Sequence, residues 1–220
     1  MQSHLKSLAV LRSALMVTLG CWIILTPVSS AQQRSTGGGV RVTDIEIEQV
    51  ESPQYQAEGG TMATSGSRLK WLRITIEYES RGGKEGWIDS LRLDWNVLLL
   101  NGDTPRLLMK KSVTYMDVWE EDDEHFAVIY VRPRAILRHY DDDGDVKDRD
   151  VLIHLEAFIG GQMVKDYNYN KSRARVPDRW WTFSAPQVKP LKGALLSRDQ
   201  TPFAPLDYDS YETIAPGASK

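Results

Sequence analysis

The chain has 220 residues with 27 basic and 30 acidic side chains, which gives a formal net charge of −3 at neutral pH. This balance argues against nucleic-acid binding, because phosphates require a clustered basic surface, and it offers no polybasic patch to anionic lipid. The length is sufficient for one domain with its own hydrophobic core.

Residues 1–31 have the pattern of a signal peptide. Lys6 and Arg12 form a basic start, and the apolar run 14–25 is too short to span a membrane. Ser29 and Ala31 are small residues suited to a cleavage site. Cleavage after Ala31 predicts an exported protein with no integral membrane anchor. The predicted compartment is the periplasm, the outer membrane surface or the cell exterior.

Two alternatives remain for this segment. Cys21 follows residues that resemble a lipoprotein processing site, although Thr18 stands where Leu is expected. A pilin would keep a long apolar helix with an acidic residue near its start, but this segment has no Asp or Glu and Pro27 closes it early. Removal of the signal peptide leaves 25 basic and 30 acidic residues, and it also removes the only cysteine, so the mature protein has no disulfides.

Residues 32–39 are rich in Gly, Ser and Thr and are predicted to form a flexible linker. Between residues 40 and 183, apolar and polar residues alternate with a period of two, as in antiparallel strands with one wet face. The predicted strands lie near residues 45–48, 72–79, 91–99, 106–118, 125–132, 150–159 and 162–169, with a further one at 172–182.

This pattern predicts an all-β fold, an immunoglobulin-like antiparallel β-sandwich of about seven to nine strands. A closed barrel is the alternative. Residues 133–140 are predicted to form a helical turn that begins at Pro133. Residues 184–220 contain five prolines and are predicted to be an extended Pro-rich tail, which docks on a partner or covers an edge strand.

An acidic run at residues 141–148 is the sharpest local motif. Its alternating carboxylates could ligate calcium, the one cofactor that the sequence raises. The alternative is a solvated acidic turn that binds no metal, because Val146 occupies the position where an EF-hand loop needs Gly. The candidate ligands are Asp141, Asp143, Asp145 and Asp148.

No catalytic set is recognisable in the sequence. His125 and His154 lie in separate predicted strands with no partner histidine at metal-ligand spacing. The chain also has no nucleophile elbow and no phosphate-binding loop before a helix. These observations predict a protein without enzymatic activity and without catalytic residues.

Tryptophan is the residue type best suited to contact in this chain. Trp95 alternates with the apolar face and is predicted to lie in the core, whereas Trp71 falls on the charged face of its strand. Trp180 and Trp181 would point to opposite faces of an extended strand. Trp71, Trp180 and Trp181 are therefore predicted contact aromatics for a protein or a glycan, unless the tail or a second sheet covers them.

Three strand phrases resemble one known family. They are Arg41–Pro53 (RVTDIEIEQVESP), Leu69–Ser80 (LKWLRITIEYES) and Trp87–Leu100 (WIDSLRLDWNVLLL). The chain is similar over residues 40–182 to the Ig-like, pilus-associated exported proteins encoded in the type IV pilus gene cluster of Verrucomicrobia-type bacteria. The resemblance implies a β-sandwich without catalytic residues that works outside the inner membrane, beside a pilus or secretion machine.

The sequence thus predicts a structural or accessory component of a cell-surface pilus or secretion system, with envelope or pilus proteins as partners. Two alternatives remain open. One is a glycan-binding module that uses the three tryptophans. The other is a calcium-stabilised adhesin that uses the acidic run.

Overall fold

The computed structural model describes residues 39–53, 69–120, 124–140, 145–182 and 188–217. The predicted signal peptide and nearly all of the predicted linker lie outside these ranges and stay predictions. Within the described ranges, no helix combines the length and apolar character needed to cross a membrane.

The described residues form seven long strands, three short ones and one α-helix. The long strands are β1 (Gly39–Glu51), β2 (Lys70–Arg81), β3 (Trp87–Asn101), β4 (Thr104–Trp119), β5 (His125–Val131), β6 (Val151–Ile159) and β7 (Gln162–Asn170). The short strands are β8 (Lys189–Pro190), β9 (Leu195–Ser197) and β10 (Thr213–Ile214), and the helix α1 is Pro133–His139. Single 3₁₀ turns occupy Asp148–Asp150, Trp180–Thr182, Arg198–Gln200 and Tyr208–Ser210.

The strands form two sheets, and the predicted antiparallel β-sandwich is confirmed. Sheet I has the order β1-β2-β5-β9, and sheet II has the order β10-β4-β3-β6-β7. Every pairing along these two paths is antiparallel, and a two-residue parallel pairing attaches β8 to β4. Strand β5 lies between β2 and β9, in agreement with its apolar residues on both faces.

The main core lies between the sheets and follows the alternation in the sequence. Strand β2 buries every second residue, from Leu72 to Ser80, and leaves those between them more exposed. Trp95 on β3 is buried in the same core, as predicted. Each large aliphatic side chain that is fully buried here contributes about 1.5–3 kcal/mol to stability.

The segment predicted to be a tail adds strands to both sheets instead of extending away from them. Strand β9 pairs with β5, and β10 pairs with β4. Ala194 and Leu195 belong to the main core, and Phe203 is buried on the outer face of sheet I. The lack of regular alternation in this segment hid its role, because a few buried side chains suffice to dock a segment on a preformed sheet.

The strand predicted at residues 172–182 is absent: this stretch is irregular and ends in the 3₁₀ turn at Trp180–Thr182. The helical turn predicted after Pro133 is present as α1, with Pro133 in its first turn and Arg138 and His139 in its last. Basic residues at that end complement the helix dipole.

Candidate interaction surfaces

The first predicted contact residue, Trp71, lies on the outer face of β2. Its indole nitrogen donates a hydrogen bond to Ser52 Oγ at 2.8 Å. Its ring meets Tyr130 edge to face at 6.4 Å between centroids and Phe203 at 5.8 Å. Since Phe203 comes from the C-terminal segment, that segment covers one flank of the Trp71 ring.

Trp180 and Trp181 lie together against the outer face of sheet II. Because they belong to a 3₁₀ turn, their rings stand at 89° to each other instead of projecting from opposite faces of a strand. Trp181 stacks on the His154 ring at 3.6 Å between centroids. Trp180 is 1% exposed, in a cluster with Leu98, Leu100, Leu108, Leu152 and Val188. The two tryptophans therefore attach the end of the irregular stretch 172–182 to the sheet.

The four predicted calcium ligands are only partly described. Asp141 and Asp143 lie outside the described residues, and Asp145 is exposed. Asp148 accepts hydrogen bonds from the Tyr169 hydroxyl at 2.5 Å and the Lys171 ammonium at 2.9 Å. No cluster of three or more potential metal ligands occurs within the described ranges. The bonds to Tyr169 and Lys171 give Asp148 a structural role at the end of β7.

Two other tryptophans form the most exposed aromatic surface of the described residues. Trp87 at the start of β3 and Trp119 at the end of β4 face each other across the strand pair. Their rings stack at 5.9 Å between centroids, with 19° between their planes, and they are 46% and 40% exposed. We call these two residues the Trp pair. A cross-strand aromatic pair of this kind is rigid as well as exposed.

The Trp pair faces outward because the alternation reverses just before the strands end. Tyr115 and Val118 on β4 are both buried although they lie three residues apart. Asp117, between them, has a positive φ of 54°. By strict alternation Trp87 would share the core face with Trp95. The alternation pattern therefore does not identify Trp87 as a contact residue. The alternation of apolar residues cannot predict a single residue with irregular backbone geometry.

The turn between β2 and β3 holds the Trp pair in place. The Lys84 amide donates a hydrogen bond to the Trp87 carbonyl at 2.9 Å, and the Glu120 amide donates one to Gly86 at 2.8 Å. The Glu120 carboxylate also accepts a hydrogen bond from the Gly83 amide. Gly83 is required there because a Cβ atom would overlap the Trp87 carbonyl oxygen.

Acidic residues are frequent in the turns and strand ends next to the Trp pair. Exposed or half-buried acidic residues at this end of the sandwich are Glu85, Asp89, Asp117, Glu120 and Glu124, and the basic residues of the same turn are Arg81 and Lys84. We call the Trp pair and these five acidic residues the acidic corner. An exposed aromatic centre within a charged rim is the usual composition of a protein-contact surface.

A pocket with the opposite charge lies beside Trp71. It has a volume of about 520 Å³, and its charged lining residues are three arginines of the α1 region. The remaining lining is mostly apolar. We call it the basic pocket, and its lining residues are Ser52, Leu69, Trp71, Arg132, Pro133, Arg134, Ala135, Arg138 and Leu191. The volume is typical of a site that takes a small molecule or one or two side chains.

The acidic corner and the basic pocket lie at opposite ends of the sandwich. Strand β2 begins at Lys70, beside the pocket, and ends at Arg81, where the turn to Trp87 begins. Strand β5 runs the other way, from His125 opposite Tyr78 to Val131 opposite Leu72, and leads into α1. The length of β2 therefore separates the two surfaces.

A buried hydrogen-bonded chain links sheet I to the C-terminal segment. His125 Nε2 lies 3.1 Å from Ser80 Oγ, and His125 Nδ1 lies 2.6 Å from Glu212 Oε1. The order of groups is that of a Ser–His–acid catalytic triad. However, Ser80 is only 3% exposed and its side chain points into the core, so a substrate cannot reach its hydroxyl.

The carboxylate of Glu212 also influences two tyrosines. Burial raises the pKa of Tyr78 well above its ordinary value, and the negative charge of Glu212 raises it further. The pKa of Tyr115 is raised by the same two causes. The chain Ser80–His125–Glu212 thus serves as an internal attachment for residues 211–214. Sequence distance concealed it, since Glu212 lies 87 residues from His125.

Comparison with known proteins identifies the family. A protein-family model matches residues 31–217, nearly the whole chain from the predicted cleavage site onward. The chain belongs to the family that this model describes. The family is not known as one of enzymes. None of the curated proteins matches the chain.

The fold also has a solved counterpart. A crystal structure of a protein from Akkermansia muciniphila superimposes with a TM-score of 0.66 at 23% sequence identity. The match covers 81% of this chain and 93% of that chain. At this level of identity the similarity shows the shared fold alone. Akkermansia belongs to the Verrucomicrobia, the group of bacteria to which the strand phrases pointed.

Proposed function

We propose that this chain is an exported structural or accessory component of a cell-surface pilus or secretion system and acts by protein–protein contact. The observation that carries the proposal is the family match over residues 31–217. That match begins at the last residue of the predicted signal peptide, which supports export of the part that the family shares. The partners are envelope or pilus proteins.

The structure supports a contact function in two ways. The Trp pair presents rigid aromatic area, which contributes more binding free energy than any other exposed side-chain type except arginine. The basic pocket presents arginines beside an indole, the other combination enriched at contact sites. Neither surface is needed to hold the two sheets together.

A crosslinking experiment in whole cells tests the proposal. Photoreactive residues at positions 87 and 134 are expected to crosslink the chain to pilus or envelope proteins, which mass spectrometry of the crosslinked bands identifies. Position 163 is the matched control, because Met163 is exposed on β7, two strands from the Trp87 strand in sheet II and on a different sheet from Trp71. Recovery of no pilus or secretion component from either position would contradict the proposal.

The two alternative functions remain testable predictions. Glycan binding through Trp71, Trp180 or Trp181 predicts array binding that is lost in the alanine variants, although Trp180 is buried against sheet II. A calcium-stabilised adhesin predicts a Tm that rises with calcium and falls with a chelator, since a ligand selective for the native state stabilises it.

A further inference from the structure

We propose that the acidic corner of one copy docks into the basic pocket of a second copy, so that the protein assembles head to tail. The inference deepens the proposed structural role in a pilus or secretion system, but its test is independent of any other component. It rests on the position, shape and charge of the two surfaces.

The chemistry of the two surfaces is complementary. The acidic corner offers two stacked indoles and five acidic residues of the adjoining turns and strand ends, which outnumber the two basic residues there, Arg81 and Lys84. The basic pocket offers exposed guanidinium groups of Arg132, Arg134 and Arg138 around apolar walls. An indole that enters the pocket would gain apolar contact with Leu69 and Leu191 and cation–π contact with the arginines. The carboxylates of the rim would then meet arginine side chains.

The volume of the pocket is also suitable. About 520 Å³ lies within the usual range for pockets that bind small molecules, so it is large enough for an indole side chain. Because the two rings are already stacked and held by strand pairing, little conformational entropy is lost when they dock. Preorganised aromatic residues of this kind are the usual centre of an interface.

The excess of like charge at each end disfavours the symmetric alternatives. If the Trp pair of one copy met the Trp pair of another, the two sets of carboxylates would lie side by side and repel each other. If two basic pockets met, their arginines would do the same. Only the pairing of unlike ends brings opposite charges together, and such a heterologous contact leaves one corner and one pocket unfilled at the ends of the assembly. Repeated contacts of this kind produce a ring or an open fibre.

The test uses two variants that each disable one end. Trp119→Ala removes half of the Trp pair and keeps the pocket, whereas Arg134→Glu/Arg138→Glu reverses the pocket and keeps the Trp pair. Sedimentation velocity of the purified protein over a range of concentrations is expected to show growing oligomers that shrink as salt is raised, because salt screens the rim charges. Each variant alone is expected to remain monomeric, with self-association at least tenfold weaker.

The decisive sample is an equimolar mixture of the two variants. In a head-to-tail contact the intact Trp pair of one variant fits the intact pocket of the other, so the mixture forms a 1:1 dimer and nothing larger. A symmetric contact gives no such rescue. The controls are Met163→Ala, which removes an exposed apolar side chain elsewhere, and Arg175→Glu, which reverses an exposed charge elsewhere. Both are expected to associate like the wild type.

Three results would overturn the inference: a wild-type protein that stays monomeric throughout, a mixture that stays monomeric, or a control variant that loses association. Unchanged Tm and near-ultraviolet circular dichroism of each variant show that folding is intact. If the crosslinking experiment recovers pilus components while the purified protein stays monomeric, the proposed function stands and head-to-tail assembly is wrong.

Discussion

The molecule contains two pairs of tryptophans that differ in burial. Trp180 and Trp181 pack against the outer face of sheet II, in contact with leucines and with His154. Trp87 and Trp119 lie at the end of the same sheet with nearly half of each side chain exposed. One pair attaches a segment to the fold, and the other is available to a partner. Residue type is the same in both pairs, so the surroundings of each pair decide whether it attaches a segment or remains exposed.

Replacement of Trp180 by alanine is expected to have the largest effect. Because Trp180 is buried among aliphatic side chains, the change should lower the free energy of unfolding by about 3–5 kcal/mol, the range for truncation of a buried Trp or Phe. Urea unfolding followed by circular dichroism measures it. A loss below about 1 kcal/mol would show that residues 172–182 are not docked as described.

Comparison of prediction and structure explains why the two pairs were hard to separate in advance. Alternation of apolar residues predicted the seven long strands and the inner face, because each strand pairs with a neighbour over most of its length. It raised the possibility that the C-terminal tail covers an edge strand, but it could not predict that residues 188–217 attach to β5 and β4, since those contacts join residues far apart in sequence. It also failed at Asp117, where one positive φ turns the Trp pair outward.

The predicted site residues show the same limit of sequence alternation. Trp71 lines the basic pocket, but Trp180 is buried and Trp181 is stacked on a histidine. His125 and His154 are both almost completely buried. His154 Nε2 lies 2.8 Å from Asp166 Oδ1. A carboxylate partner on a neighbouring strand is not visible in a one-dimensional pattern.

The attachment of the C-terminal segment to sheet I is expected to give the next largest effect. Glu212→Ala leaves the buried His125 Nδ1 without its carboxylate, which should lower the free energy of unfolding by about 1–3 kcal/mol. Asp209→Ala, at an exposed position of the same segment, is the matched control and should change stability by less than about 0.5 kcal/mol. Equal effects of the two substitutions would contradict a specific role for the buried chain.

The buried tyrosines beside this attachment predict a loss of stability at high pH. The pKa of Tyr78 and of Tyr115 is raised in the folded protein by burial and by Glu212, and burial raises the pKa of Tyr130 to about 12. The contribution of these tyrosines to the free energy of unfolding is complete below the pKa of about 10 that tyrosine has in the unfolded chain. It is lost as the pH rises toward their higher pKa in the folded protein. Each fully buried tyrosine should then lower stability by about 1.4 kcal/mol per pH unit.

Urea unfolding at several pH values above 10, together with the ultraviolet absorbance of tyrosinate, measures this loss. The Tyr78→Phe variant is the control, because it keeps the ring and removes the ionisable group. Its stability should fall less steeply with pH than that of the wild type. An equal slope for the two proteins would show that Tyr78 does not contribute.

The smallest expected effect on stability belongs to the exposed pair. Trp119→Ala should change the free energy of unfolding by less than about 1 kcal/mol, because the ring is 40% exposed and its main contact is Trp87. Its effect should appear in association instead. A stability loss as large as that of Trp180→Ala would remove the distinction between the two pairs.

Photocrosslinking in living cells at positions 119 and 181 tests that distinction most directly. Both positions carry a tryptophan on the same sheet, and only the one at position 119 lies in the exposed pair. Crosslinks to a second copy or to a pilus component from position 119, with none from position 181, are the predicted result. Crosslinks from position 181 alone, or equally from both, would contradict the assignment of the Trp pair as the contact surface.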